Sequence, residues 1–274
     1  MITYALTMIA IGVFAGLAGA VLGLGGGIIL TPILTLLMGV DIKYAIGASI
    51  IAVIATSSGA TIAYLQDQIL NLRVAMFLEI ATTLGALTGV LDPKYLYILF
   101  GLLLLFSAYN MIRKLRRNEG VLNRAHPDAL ASKFKLNSTY FDKAAMKQID
   151  YQVENIPGGF AMMYGAGIAS GLLGIGSGAF KVTAMDTIMK MPLKPSTSTS
   201  NLMMGVTAAA SATVYFFNGS IKPQIAVPLA LGILVGATLG SRLMQHLSAR
   251  FIRLIFIPVL AYIGLEMFVK GIRL

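Results

Sequence analysis

Apolar residues fill most of the chain in long runs, and polar residues gather at the breaks between them. Residues 95–112 and 223–241 each run without a single charge. About 20 apolar residues suffice to cross a ~30 Å hydrocarbon core, so such runs predict membrane helices. Residues 4–22 form the first, followed by a glycine break and a short helix from Ile28 to Met38 with Pro32 near its start. At ~1.5 Å per residue that second piece is too short to cross comfortably. Residues 4–39 therefore read as a re-entrant helical hairpin, with two short full spans as the alternative. Full spans follow over 44–65, 72–91 and 94–112, with a turn at Asp92-Pro93. A second hairpin covers 160–175 and 179–190, and three more spans cover 194–217, 223–243 and 250–270.

These elements repeat. Leu22-Gly23-Leu24-Gly25-Gly26-Gly27 returns as Leu173-Gly174-Ile175-Gly176-Ser177-Gly178, 151 residues later. At the same spacing Gly16 matches Gly167, Lys43 matches Lys194, Ser49 matches Ser200, Thr56 matches Thr207 and Tyr64 matches Tyr215. No gap is needed from residue 15 to residue 89. The expected architecture is an all-α integral membrane protein of two repeats, 1–112 and 157–274, joined by a linker over 113–156. Each repeat holds a glycine-broken hairpin and three transmembrane helices, an odd number of crossings, so the copies insert in opposite orientations.

Composition supports a bilayer. The chain is 57% hydrophobic and 12% charged, with mean hydropathy +0.81, more apolar surface than a soluble domain of this length can hide. The net charge of +10 is explained by position rather than by nucleic acid, which is not an expected partner. Nine Lys or Arg residues lie between Arg113 and Lys147, marking that segment as cytoplasmic and, most simply, as a solvated connector. Residues near 68, 192 and 246 then fall inside, those near 41, 92 and 220 outside, and both termini outside. Lys190, Lys194, Arg242, Arg250 and Arg253 obey the positive-inside bias; Lys270 and Arg273 do not. The first apolar segment lacks a basic start and cleavage site and carries part of the repeat, so it reads as retained. There is no cysteine, and His126 and His246 are too few and too separated for a metal site. No cofactor or resident metal is expected, and with no HExxH and no credible His/Ser/Asp set, neither is catalysis.

The candidate chemistry lies at the breaks. A glycine turn at membrane depth leaves backbone groups unpaired, which is tolerable only beside protein or a wet cavity. A helix beginning there turns free N–H groups and its positive dipole end toward that cavity, favouring an anion. In opposed repeats the two tips meet near the midplane. The candidate substrate-binding residues are Gly25, Gly26, Gly27, Gly176, Ser177 and Gly178, with Ser49, Ser57, Ser200 and Asn201 lining the site. Ser58 and Thr207 are further lining candidates. Packing alone is the competing explanation for the glycines. Lys181 reads either as a counter-charge for an anion or as the partner of Asp186. Glu79 and Asp186 are candidates for proton coupling, although Arg73 could instead hold Glu79 near an interface, as Lys270 could hold Glu266.

The doubled motif, Gly16-Leu17-Ala18-Gly19-Ala20-Val21-Leu22-Gly23-Leu24-Gly25-Gly26-Gly27 with Pro32 and Gly167-Ile168-Ala169-Ser170-Gly171-Leu172-Leu173-Gly174-Ile175-Gly176-Ser177-Gly178, resembles the TauE/SafE (TSUP) family of sulfite and organosulfonate exporters. Ala48-Ser49 and Thr199-Ser200 look like the family's small-polar pair. The second copy departs from the pattern at Ser177, at Thr183, where a proline is usual, and at Lys181. The resemblance implies a secondary transporter moving small sulfur-containing anions across a prokaryotic cytoplasmic (inner) membrane, with protons as a candidate coupling ion. A cation or metal transporter using Glu79 and Asp186 is the alternative.

Overall fold

The structure is a computed structural model and describes residues 2–88, 93–116, 128–173 and 177–273. Its first half holds α1 (Ile2–Leu22), α2 (Gly27–Pro32) running on through a π turn at Ile33–Leu37, α3 (Ile42–Gln66), α4 (Leu72–Thr88) and α5 (Pro93–Arg116). A small unit follows, α6 (Ala129–Lys133), β1 (Ser138–Asp142) and β2 (Lys147–Tyr151). The second half holds α7 (Ile156–Leu173), α8 (Gly178–Thr183) with its π turn at Ala184–Ile188, α9 (Leu193–Phe217), α10 (Pro223–His246) and α11 (Ala249–Arg273). Among the described residues, four helices are long and apolar enough to cross a membrane: Thr3–Leu22, Ile42–Gln66, Pro223–His246 and Ala249–Arg273. The chain is an all-α membrane protein apart from the β1–β2 pair.

The repeat is visible in the elements themselves. α2 and α8, the two π turns, α3 and α9, and α4 and α10 each begin 151 residues apart. Each π turn is followed by one left-handed residue, Gly39 (φ 63°) and then Lys190 (φ 56°), closing the helix end. Gln68 and Gly219, left-handed after α3 and α9, keep the same spacing. Packing interlocks the halves: α1 lies on α10, α4 on α7, α3 crosses α9, and α5 lies on α11. Small residues permit the close contacts. A Cβ on Gly12 would lie 2.6 Å from Leu229 O, and one on Gly16 2.5 Å from Ile233 O. Gly19 shares their stripe in the sequence but faces Gly26 of its own hairpin.

The expected solvated connector is corrected over 128–155. β1 and β2 pair antiparallel, and Tyr140, Ile149, Tyr151 and Val153 are buried. Asp142 at the end of β1 accepts from Lys194 Nζ at 2.7 Å, and Lys194 also donates to Gln245 O at 2.8 Å. Asn71 Nδ2 donates to Leu136 O at 2.8 Å and to Tyr151 Oη at 3.0 Å. Burial pushes the Tyr151 phenol up to about 12, which keeps it neutral at physiological pH. Buried polar groups must be paired, so these bonds fix the unit against the α3–α4 loop and the start of α9. The loops expected inside therefore share one end of the molecule with the linker. At the other end Lys222 Nζ stands 3.6 Å from the Tyr44 ring centroid, joining the segments near 41 and 220.

Candidate functional site

The two glycine breaks meet. α1 ends at Leu22, and Gly23, Gly25 and Gly26 take left-handed φ values of 70°, 71° and 72°, which only glycine adopts at little cost. The chain reverses and α2 starts at Gly27, whose first bonds run from Ile29 and Leu30 N–H to Gly26 O. The N–H groups ahead of Ile29 are thus free of intrahelical partners. This tip rests beside Val53 and Thr56, near the middle of α3, and Gly25 also faces Met204, near the middle of α9. Thr56 Oγ1 donates to Gly25 O at 3.2 Å or to Ala52 O at 2.9 Å. From the second break, Gly178 abuts Gly23 and Leu24: a Cβ there would lie 2.7 Å from Gly23 O and 2.9 Å from Leu24 Cα.

The polar start of α9 seals this junction. Ser196 to Asn201 are all 0% exposed, a polar run buried inside the protein. Ser200 Oγ donates to Gly23 O at 3.0 Å, with Gly178 O at 3.4 Å as the alternative acceptor, so one hydroxyl stands within reach of both tips. Asn201 Nδ2 donates to Ala20 O at 3.0 Å and Thr197 O at 3.2 Å, and Tyr64 Oη donates to Ala20 O at 3.0 Å. Among the described residues, three buried polar atoms around the junction have no partner: Ser177 Oγ, Thr197 Oγ1 and Asn201 Oδ1. An orphaned buried polar atom costs roughly 1–3 kcal/mol, so three together need an explanation.

Of the residues singled out from sequence, Gly25, Gly26, Gly27, Ser177, Gly178, Ser200 and Asn201 converge here. Gly176 lies outside the described residues. Ser49 sits to one side, its hydroxyl 2.9 Å from Thr31 Oγ1. Ser57 packs against Gly205, and Ser58 is exposed and bonds Ile54 O. Sequence reasoning missed Thr197, although it lies one turn before Asn201 on the same helix face.

Lys181 does not join the tips. It is fully buried, and Nζ donates to Glu79 Oε2 at 3.1 Å and to Thr207 Oγ1 at 2.6 Å. The Thr207 hydroxyl donates to Glu79 Oε1 at 2.6 Å, with Met203 O also in reach at 2.9 Å. The expected Lys181–Asp186 pair is thus replaced: Asp186 accepts from Arg253 at 3.2 Å instead. Arg73 does not hold Glu79 but donates to Lys135 O at 3.0 Å. Each carboxylate is bonded to a cation of the chain, and the two do not meet. Among the described residues no group of three His, Cys, Asp or Glu is placed to hold a metal ion.

Comparison with known proteins gives one consistent result. The family described as sulfite exporter TauE/SafE matches residues 8–267. The chain is 24% identical to the probable membrane transporter protein YunE of Bacillus subtilis, with 97% of each chain covered. It is 29% identical to a probable membrane transporter protein of Xylella fastidiosa, covering 90% of this chain and 91% of that one. A probable membrane transporter protein of Methanocaldococcus jannaschii is 23% identical, covering 95% and 94%. No solved structure matches.

Proposed function

This chain belongs to the sulfite exporter TauE/SafE family, and from that premise we propose that it is a secondary transporter of small sulfur-containing anions, sulfite or an organosulfonate. The observation that carries this reading is the junction of the two breaks, where Ser177 and Thr197 keep buried hydroxyls without partners. Hydroxyl and backbone N–H donors with no acceptor of their own suit an oxyanion. Asn201 Oδ1, the one orphaned acceptor, suits a hydroxyl or amine carried by the same ligand.

The repeats are read as inverted, each contributing a re-entrant hairpin, with the linker in the cytoplasm and both termini outside the inner membrane. Two facts support this: α3 and α9 cross at their middles, and the tips rest beside those middles. Alternating access then comes from motion of the hairpins and their α3 and α9 supports against the remaining helices. The family name points to export. The cation-transporter reading is disfavoured, because both of its carboxylates are already neutralised by Lys181 and Arg253.

A thermal-shift screen of purified protein in detergent tests this, using sulfite, sulfate, thiosulfate, sulfoacetate, taurine and acetate with chloride as control. Stabilisation by a sulfur anion, lost in Ser177→Leu, is expected. Stabilisation by divalent cations alone would overturn the anion reading.

A further inference from the structure

The Glu79–Lys181–Thr207 cluster has a counterpart in the other repeat that carries no charge. At 151 residues' spacing, Lys181 corresponds to Leu30, Glu79 to Ala230 and Thr207 to Thr56. Leu30 is fully buried in an apolar cluster with Leu229 and Ile233, and Ala230 packs against that cluster. The same backbone plan is thus packed once with an ion pair and once without. A hairpin of this design does not need the charges to fold, and charges within a membrane domain are costly enough to mark function.

We propose that Glu79 is the proton-binding coupling site of this transporter, and that its proton and the anion bind together because they act on the same lysine. This rests on the anion reading above. With Glu79 ionised, the cluster is neutral and closed: Lys181 is held on Oε2 at 3.1 Å and Thr207 on Oε1 at 2.6 Å. A proton taken up on the carboxylate removes the negative charge and leaves the ammonium of Lys181 without a counter-ion. Lys181 lies on the first turn of α8, where its backbone N–H donates to Ser177 O at 2.9 Å, so the residue that bears the uncovered charge follows the tip residue Ser177 by one turn of the chain. An anion arriving there restores neutrality. By linkage, each ligand raises the affinity for the other by the same factor.

Access fits this division of labour. The Glu79 side chain is 12% exposed and that of Lys181 0%, so the carboxylate is the member of the pair that reaches the protein surface. The neighbours of Glu79 leave Lys181 as its one bonded charge among the described residues. α9 brings the non-titratable Thr207, and α7 lays the Tyr164 backbone against Gly85 of α4, more than a turn away. On α4 itself, Arg73 is engaged by Lys135 O. The coupling has a direction: proton and anion travel together. An inward proton gradient therefore drives uptake, and export requires an opposing anion gradient that exceeds it.

The test uses the full chain in proteoliposomes with radiolabelled thiosulfate, which carries no titratable proton near neutrality. Two assays are run: exchange at equal pH, and accumulation against an imposed pH gradient with a pH dye in the lumen. Wild type should exchange, accumulate thiosulfate when the outside is acid, and acidify the lumen as the anion enters. Glu79→Gln can neither bind nor release the proton, so its pH-driven accumulation, divided by the same variant's exchange rate, should fall about tenfold from wild type, within the usual range of coupling. The double variant Glu79→Ala/Lys181→Leu, which copies the residues of the other repeat, also removes the anion's counter-charge and should lose exchange together with accumulation, so pH-driven accumulation retained in it would overturn the proposal even if the single variant folds poorly. Accumulation by Glu79→Gln at the wild-type level, or wild-type exchange with no pH-driven component, would overturn the proposal. Wild type that exchanges none of thiosulfate, sulfite, sulfoacetate and taurine would overturn the anion reading itself, and that failure is visible without any variant.

Discussion

The two hairpins have short arms of the same length, the same π turn and the same relation to the following helix, yet they are held by different forces. The first is held by sterics and apolar packing. Three left-handed glycines make its turn, and Leu30 and Leu34 sink among Ala226, Leu229 and Ile233. The second starts from Ser177 at an ordinary φ of −72° and is tied by two buried ion pairs, Lys181–Glu79 and Asp186–Arg253. Where Lys181 and Asp186 stand, the first copy has Leu30 and Thr35. The contrast separates what the fold needs from what one copy alone has acquired. A hairpin of this shape needs close backbone approach at its tip, and charge is an addition.

That comparison can be broken at several points. The largest effect is expected for Lys181→Leu, which leaves Glu79 uncompensated and should cost about 3–5 kcal/mol. Adding Glu79→Ala should recover most of the loss, because an apolar pair of similar volume is often neutral or stabilising. Unfolding equilibria in detergent measure both, and a single variant as stable as wild type would show that the pair carries no buried charge. Next comes Gly178→Ala. Its new methyl meets backbone at Gly23 O and Leu24 Cα, so about 1–3 kcal/mol is expected. The matching Gly27→Ala meets a single side-chain methyl, Val53 Cγ2 at 3.0 Å, rather than backbone and should cost clearly less in the same assay. Equal losses would mean that the tips are not in contact.

Smaller effects sharpen the picture. Gly26→Ala forces an L-residue to φ 72° and should cost about 1–2 kcal/mol. Its counterpart Ser177→Ala removes a hydroxyl that has no partner among the described residues, so stability should change by less than about 0.5 kcal/mol. The same change should weaken the thermal shift given by sulfite or a sulfonate. A clear loss of stability in Ser177→Ala without added anion would show that the hydroxyl serves the fold rather than a ligand.

Much of the fold was legible because its signals are local. Apolar runs located the long helices, and the glycine break located the turn between α1 and α2 to within a residue. The residues at the tips were legible for the same reason, since a turn this tight restricts its own positions to glycine and small residues. Partners were not legible. Sequence offers Lys181 either an anion or Asp186, five residues away, whereas its partner Glu79 lies 102 residues back on α4. The polar segment after α5 looked like a connector because charge dominates its composition. Its few apolar residues, Tyr140, Ile149, Tyr151 and Val153, alternate along two strands and suffice for a buried face once α9 and the α3–α4 loop cover it.

Sequence by itself determined the membrane class, the doubled unit and the places where the chain must break, because hydropathy, period and glycine conformational freedom act over a few residues. Tertiary structure alone decided that α1 packs on α10 rather than within its own half, and that the two tips touch across Gly23 and Gly178. It also decided that one lysine leaves the tips for Glu79 while Ser177 and Thr197 stay without partners. The reason is reach. A buried charge is satisfied by whichever opposite group the packing brings within about 3 Å, and distance along the chain does not set that choice.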